Sequence, residues 1–177
     1  MSREYFKRRQ NLLKELLSQK GLDGMMVTNL THIRYLCGFT GSSATLVITE
    51  EQTNFITDGR YVVQSEKEVK GANIIIDSVS HFEVIKNQNL LTNGSKIAFD
   101  GKNVSHEGFQ QISSVLSNIK LESITGLIEK MAMSKDDKEL EAIRTAVEIT
   151  DKAFAEVLPM VKIGVEEKVI ANQLSFL

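Results

Sequence analysis

The sequence predicts an α/β fold, with a mixed central sheet and helices on both faces. Three observations lead to it. Segments of helical period alternate with short β-branched runs over residues 1–125. Two adjacent runs, Ala44 to Thr49 and Asn54 to Thr57, are close enough in sequence to pair as an antiparallel hairpin through Glu50, Glu51 and Gln52. Finally, 177 residues that are 42% hydrophobic can bury one sizeable core, and at roughly 150 residues per domain they leave room for part of a second.

The elements follow in order. An amphipathic helix opens the chain, with Phe6, Leu12, Leu13, Leu16 and Leu17 against Lys7, Arg8, Lys14 and Glu15; Ser2 is its candidate cap and Gly21 its stop, with Leu22 set to fold back on the last turn. Met25 to Thr28 reads as a short buried strand, and the hairpin comes next. Helical period returns from Tyr61 to Val69, stops at Gly71 and gives way to a strand at Ile74 to Ile76. Two more cycles follow: a helix over Phe82 to Leu91 with a strand at Ile97 to Phe99, then a helix over Ser105 to Leu116 with a strand near Leu121. Leu127 to Lys135 reads as a connector. A long helix over Asp136 to Val157 carries Leu140, Ile143, Val147, Phe154 and Leu158 on one stripe, with Ser134 and Asp137 as its capping box and Pro159 at its end. A last helix starts near Val165 with Ile170, Leu174 and Leu177 on its apolar side, and no stop signal follows.

Composition excludes several classes of function. With 21 Lys+Arg against 23 Asp+Glu the net charge is −2, which gives no electrostatic footprint for nucleic acid. No apolar run approaches the roughly 20 residues of a membrane span, and the charged segment Ser2 to Lys20 is unlike a signal peptide. One cysteine, Cys37, forms no internal disulfide, so a cytoplasmic protein is expected. Beside Leu36 and Phe39 that cysteine reads as a packing residue rather than a nucleophile. His32, His81 and His106 lack the spacing that sets two imidazoles on one helix face, so no metal site is expected from them. Gly38 and Gly41 before Ser42 and Ser43 lack the Gly-Lys-Ser/Thr ending of a phosphate loop and read as a turn. Residue chemistry alone yields no complete active site.

Two segments carry more. Thr28 to Ala44, Thr-Asn-Leu-Thr-His-Ile-Arg-Tyr-Leu-Cys-Gly-Phe-Thr-Gly-Ser-Ser-Ala, and Thr57 to Gln64, Thr-Asp-Gly-Arg-Tyr-Val-Val-Gln, together resemble the amino-terminal domain of the prolidase and creatinase superfamily, which includes Xaa-Pro aminopeptidases and dipeptidases. The opening Gly21-Leu22-Asp23-Gly24 fits it as well, and Lys135 to Asp151 looks like the start of that family's pita-bread catalytic domain. The resemblance implies a creatinase/prolidase-type domain over residues 1–125, a linker over 126–135, and the first helices of an incomplete metallopeptidase domain over 136–177. It further implies two divalent metal ions, manganese foremost, held by two aspartates, a histidine and two glutamates downstream of this chain. The chain would then carry no catalytic or metal residue and would be inactive alone.

For the full-length enzyme the resemblance implies a peptide substrate with proline in the second position and a homodimer or higher homo-oligomer, in which this domain supplies subunit contacts and part of the substrate pocket. Arg60 is the substrate contact carried over from the Thr-Asp-Gly-Arg-Tyr motif, and His32, in the loop before Tyr35, is the second. A planar guanidinium suits a carbonyl or carboxylate, and it equally suits Asp58, which it could pair with to fix the turn. Two alternatives keep the fold: a free-standing dimerisation or binding module, and a creatinase-type relative without peptidase activity. One departure is Ala132 and Ser134 where the family often has Arg and Ile, which bears on how the two domains dock.

Overall fold

A computed structural model describes residues 3–176 of the chain. It divides into two units, one running up to Met131 and the other from Ala132.

The first unit is a six-stranded sheet in the order β4-β3-β2-β1-β5-β6. In chain order its elements are α1 (Arg3–Ser18), β1 (Gly24–Val27), α2 (Leu30–Cys37), β2 (Thr45–Thr49), β3 (Thr53–Thr57), α3 (Val62–Glu68), β4 (Asn73–Ile76), α4 (His81–Asn87), β5 (Lys96–Asp100), α5 (His106–Val115), β6 (Lys120–Ile124) and α6 (Leu127–Met133). The expected hairpin is β2 and β3, antiparallel with Leu46 opposite Phe55. β1 also runs antiparallel to β2, while the β1–β5, β3–β4 and β5–β6 pairs are parallel. The sheet is therefore mixed, with β2 alone reversed.

Alternation along the strands sorts the core into two layers. Met25, Val27, Leu46, Ile48, Phe55 and Ala98 face Leu13 and Leu17 of α1, Ile33 and Leu36 of α2, and Ile128 and Met131 of α6. Their neighbours Met26, Val47, Ile56 and Ile97 face Val84 and Ile85 of α4 and Ile112 of α5. Both faces are thus covered, which is why β1, β2 and β3 are buried at every position.

Local chemistry sets the element ends. α1 closes where Leu22 N donates to Leu17 O and Gly21 N to Ser18 O, with Gly21 at φ +67 and Leu22 buried beside Leu17. A polar clamp adds to this packing: Arg9 Nη1 donates to Tyr35 O at 2.8 Å, its guanidinium lies over the Tyr35 ring, and buried Gln10 Nε2 donates to Leu36 O and Lys70 O.

Three expectations are corrected. His32, read as lying in a loop before Tyr35, is on helix α2: Asn29 Oδ1 accepts from the Thr31 and His32 amides, and Ile33, Leu36 and Cys37 fill its inner face. The segment read as a connector forms α6, because Leu127, Ile128 and Met131 recur at helical spacing and are buried. In the second unit the long helix α7 (Asp137–Val157) is capped by Asp136 and Glu139 rather than by Ser134 and Asp137; Asp136 Oδ1 accepts from the Lys138 and Glu139 amides while Glu139 Oε2 accepts from Asp136 N. A 3₁₀ turn over Leu158–Met160 contains Pro159, and α8 (Glu167–Phe176) completes that unit. Two expectations, the Ser2 cap and the place of Leu177 on the last apolar stripe, lie outside the described residues.

Candidate functional site

β1, β3, β4, β5 and β6 all end at one edge of the sheet, and the antiparallel β2 begins there. In α/β sheets the crevice outside the carboxyl ends of the strands is where ligands bind. Both motif segments arrive at this edge: residues 28–44 join β1 to β2, and residues 58–61 follow β3.

The two motifs are bonded into one structure. Thr57 Oγ1 donates to Ser43 O at 2.7 Å. Tyr61 Oη and Ser42 Oγ are 2.6 Å apart, Ser42 N donates to the same phenol oxygen, and this pairing lowers the Tyr61 pKa. The Tyr61 ring meets Phe39 edge-on at 5.4 Å, and Phe39 in turn meets Phe55 at 4.7 Å. Gly41 sits between them so closely that a β-carbon there would lie 2.3 Å from Phe39 Cζ and 2.7 Å from Tyr61 Cε1. On the flank, Thr40 donates to Glu68 through both N and Oγ1, and Gln64 Nε2 bonds both partners. Burial would raise the Glu68 pKa, but the Thr40 amide, Gln64 and the Thr40 hydroxyl outweigh it and lower it.

Arg60 stands on the 3₁₀ turn Gly59–Tyr61, which Asp58 caps by accepting from Arg60 N. The guanidinium forks onto the same carboxylate, Nε to Oδ1 at 2.8 Å and Nη2 to Oδ2 at 2.9 Å. That hydrogen bond holds the Asp58 carboxyl well below the usual carboxylate range and pushes Arg60 higher still. The Arg60 side chain nevertheless remains 70% exposed. Of the two readings in the sequence, the structure contains the Asp58 pair, and it leaves guanidinium surface facing outward.

His32 lies elsewhere on the same edge. It is only 8% exposed, on α2, with Nδ1 3.5 Å from Asp100 Oδ2 at the end of β5 and Nε2 3.7 Å from Glu129 Oε2 on α6. Sequence reasoning missed Asp100 and Glu129. Asp100 could have been found as the polar residue ending a strand; Glu129 was hidden by the reading of its helix as a connector. His81 Nδ1 bonds Thr45 Oγ1 at 2.9 Å, and burial lowers its pKa while Asp58 acts in the opposite sense. Cys37 is fully buried, and desolvation pushes its thiol up to about 12, which suits packing and not nucleophilic attack.

A cleft of about 540 Å³ opens at the opposite end of the sheet, lined by Lys14, Asp23, Glu50 and Gly94 among others. Its Asp23 carboxylate already accepts from Lys96 N, and neither motif reaches it, so the motif edge is the better candidate. The five-donor dinuclear centre implied by the resemblance does not fit the described residues: the group of potential ligands they bring together has one histidine and two carboxylates. No helix among them is long and apolar enough to cross a membrane.

Comparison with known proteins agrees with this fold. The family model described as Creatinase/Prolidase N-terminal domain matches residues 8–134. The uncharacterized peptidase YqhT of Bacillus subtilis (strain 168) is 32% identical over 164 residues, which is 93% of this chain and 46% of that protein. A solved Xaa-Pro dipeptidase from Bacillus anthracis superposes with a TM-score of 0.89 at 27% identity, covering 97% of this chain and 48% of that one. An X-Pro aminopeptidase from Thermotoga maritima MSB8 gives 0.78 at 32% identity, covering 94% and 48%. The chain thus spans about half the length of these relatives.

Proposed function

Since the chain belongs to the creatinase/prolidase N-terminal domain family, we propose that it serves as the noncatalytic amino-terminal part of a Xaa-Pro-specific metallopeptidase, lining the substrate pocket and contributing to subunit contacts. The observation that carries this reading is the fused pair of motifs. A buried aromatic stack and the Ser42–Tyr61 and Thr40–Glu68 bonds fix one loop against the other, and Arg60 projects from that base with most of its side chain exposed.

A fixed, outward guanidinium that already carries one carboxylate can offer its remaining N–H donors to a peptide carbonyl or carboxylate without first ordering a flexible side chain. His32 shares the expected role, but it is turned inward on Asp100 and Glu129, so the substrate contact is assigned to Arg60. Hydrolysis itself would rest on two divalent ions, manganese foremost, in a catalytic region outside this chain. The apolar residues of α7 left exposed, Leu140, Ile143, Val147 and Phe154, are suited to packing against the rest of that catalytic region.

The test is steady-state kinetics of the full-length Arg60→Ala peptidase on peptides with proline in the second position. A raised KM with folding intact is expected. Unchanged KM and kcat would remove Arg60 from the pocket.

A further inference from the structure

We propose that His32, Asp100 and Glu129 form a binding site for one divalent transition-metal ion of the zinc type, built within the sheet unit and independent of the peptidase reading. These residues come from three elements far apart in sequence, α2, β5 and α6, and one donor atom from each lies within 4.8 Å of the others.

Two features of the group call for a cation. First, His32 Nδ1 is buried and has no hydrogen-bond partner among the described residues, although buried polar atoms are nearly always paired. Second, Asp100 is a carboxylate only 4% exposed that has no Lys or Arg ion pair among the described residues; its oxygens accept from Lys102 N at 3.1 Å and Asn103 Nδ2 at 2.5 Å, both neutral donors. A buried carboxylate in that position is costly until a positive charge joins it.

The spacing distinguishes a metal from a direct bond. At 3.5 Å, His32 Nδ1 and Asp100 Oδ2 are too far apart for a good hydrogen bond. Two donors each about 2.1 Å from a tetrahedral ion, however, stand roughly 3.4 Å from one another. His32 and Asp100 therefore form the fixed half of the site. Glu129, whose side chain is 41% exposed and whose carboxylate stands 3.7 Å from the other ring nitrogen, Nε2, is the arm that must swing to the Nδ1 side to complete the site, and the side from which the ion enters. An imidazole with two carboxylates is a borderline-hard donor set, which suits Zn²⁺ and leaves a fourth position for water.

The experiment is a calorimetric titration of the chelator-treated chain with Zn²⁺ alone, checked by thermal unfolding. One ion per chain is expected, with a Tm that rises as Zn²⁺ is added. Glu129→Gln is nearly isosteric at a partly exposed position, so it should fold normally and bind at least about tenfold more weakly, as should Asp100→Asn. His106→Ala, an exposed histidine on α5, should bind like the parent. Absence of saturable one-to-one binding would overturn the proposal, and so would binding that survives unchanged in both Glu129→Gln and His32→Gln.

Discussion

Replacing Gly41 by alanine tests the claim that the two motifs form one rigid base. The added β-carbon would lie 2.3 Å from Phe39 Cζ, 2.9 Å from Phe39 Cε1 and 2.7 Å from Tyr61 Cε1, all well inside contact distance. Phe39 cannot retreat, because it is 1% exposed and already packed edge-on against Phe55. Overpacking of a tight core costs about 1–3 kcal/mol, and with both rings confined the upper half of that range, about 2–3 kcal/mol, is expected. At about 2–4 °C per kcal/mol for a chain of this size, the Tm should fall by about 4–12 °C. Urea unfolding followed by circular dichroism measures the free energy. Phe39→Leu removes Cζ and both Cε atoms, so the double variant Gly41→Ala/Phe39→Leu should lose less than the sum of the two single losses. A Gly41→Ala protein within about 0.5 kcal/mol of the parent, or strictly additive losses, would refute the packing argument.

Two further expectations concern titrating groups. Because Arg60 lowers the Asp58 pKa in the folded state, its contribution to stability is present above the ordinary carboxylate value of about 3.9 and is lost as pH falls through the lowered one. Carboxyl-carbon NMR should show Asp58 titrating below a free aspartate, and Arg60→Ala should move its midpoint upward; identical midpoints in the two proteins would contradict the pairing. Cys37, with its thiol pushed up to about 12 and no exposed surface, should resist Ellman's reagent at pH 8 until urea unfolds the chain. Complete labelling of the native protein within the mixing time would show that the thiol is accessible.

The legible parts of the molecule were those written in local period. The hairpin, the Gly21 stop and the alternating cycles each rest on residues within a few positions of one another, and they appear where the sequence sets them. Helix α2 was obscured because its eight residues include Thr31, His32 and Cys37, whose helix propensity is weak; burial of Ile33 and Leu36 and the Asn29 cap decide the matter. The capping box of α7 shifted by two residues because both Ser134 and Asp136 are followed three positions later by an acidic residue, but Glu139 is long enough to reach back to the cap amide whereas Asp137 is one methylene shorter. Arg60 and the Thr-Asp-Gly-Arg-Tyr turn could be seen as a motif, since Asp58 and Arg60 are neighbours. The approach of His32 to Asp100 and Glu129 spans nearly a hundred residues and depends on the parallel β1–β5 pairing, which no local pattern encodes.

The strand order has a consequence for how the protein opens under native conditions. β1, β2 and β3 lie inside the sheet and are buried throughout, whereas the outermost strands β4 and β6 have exposed positions. Backbone amides of these three fully buried strands should therefore exchange with solvent last, and those of the two borders first. The loops bearing both motifs are tied to the ends of these slow-exchanging strands. Fraying at either border would leave them in place, so the geometry around Arg60 should persist until the whole sheet is lost.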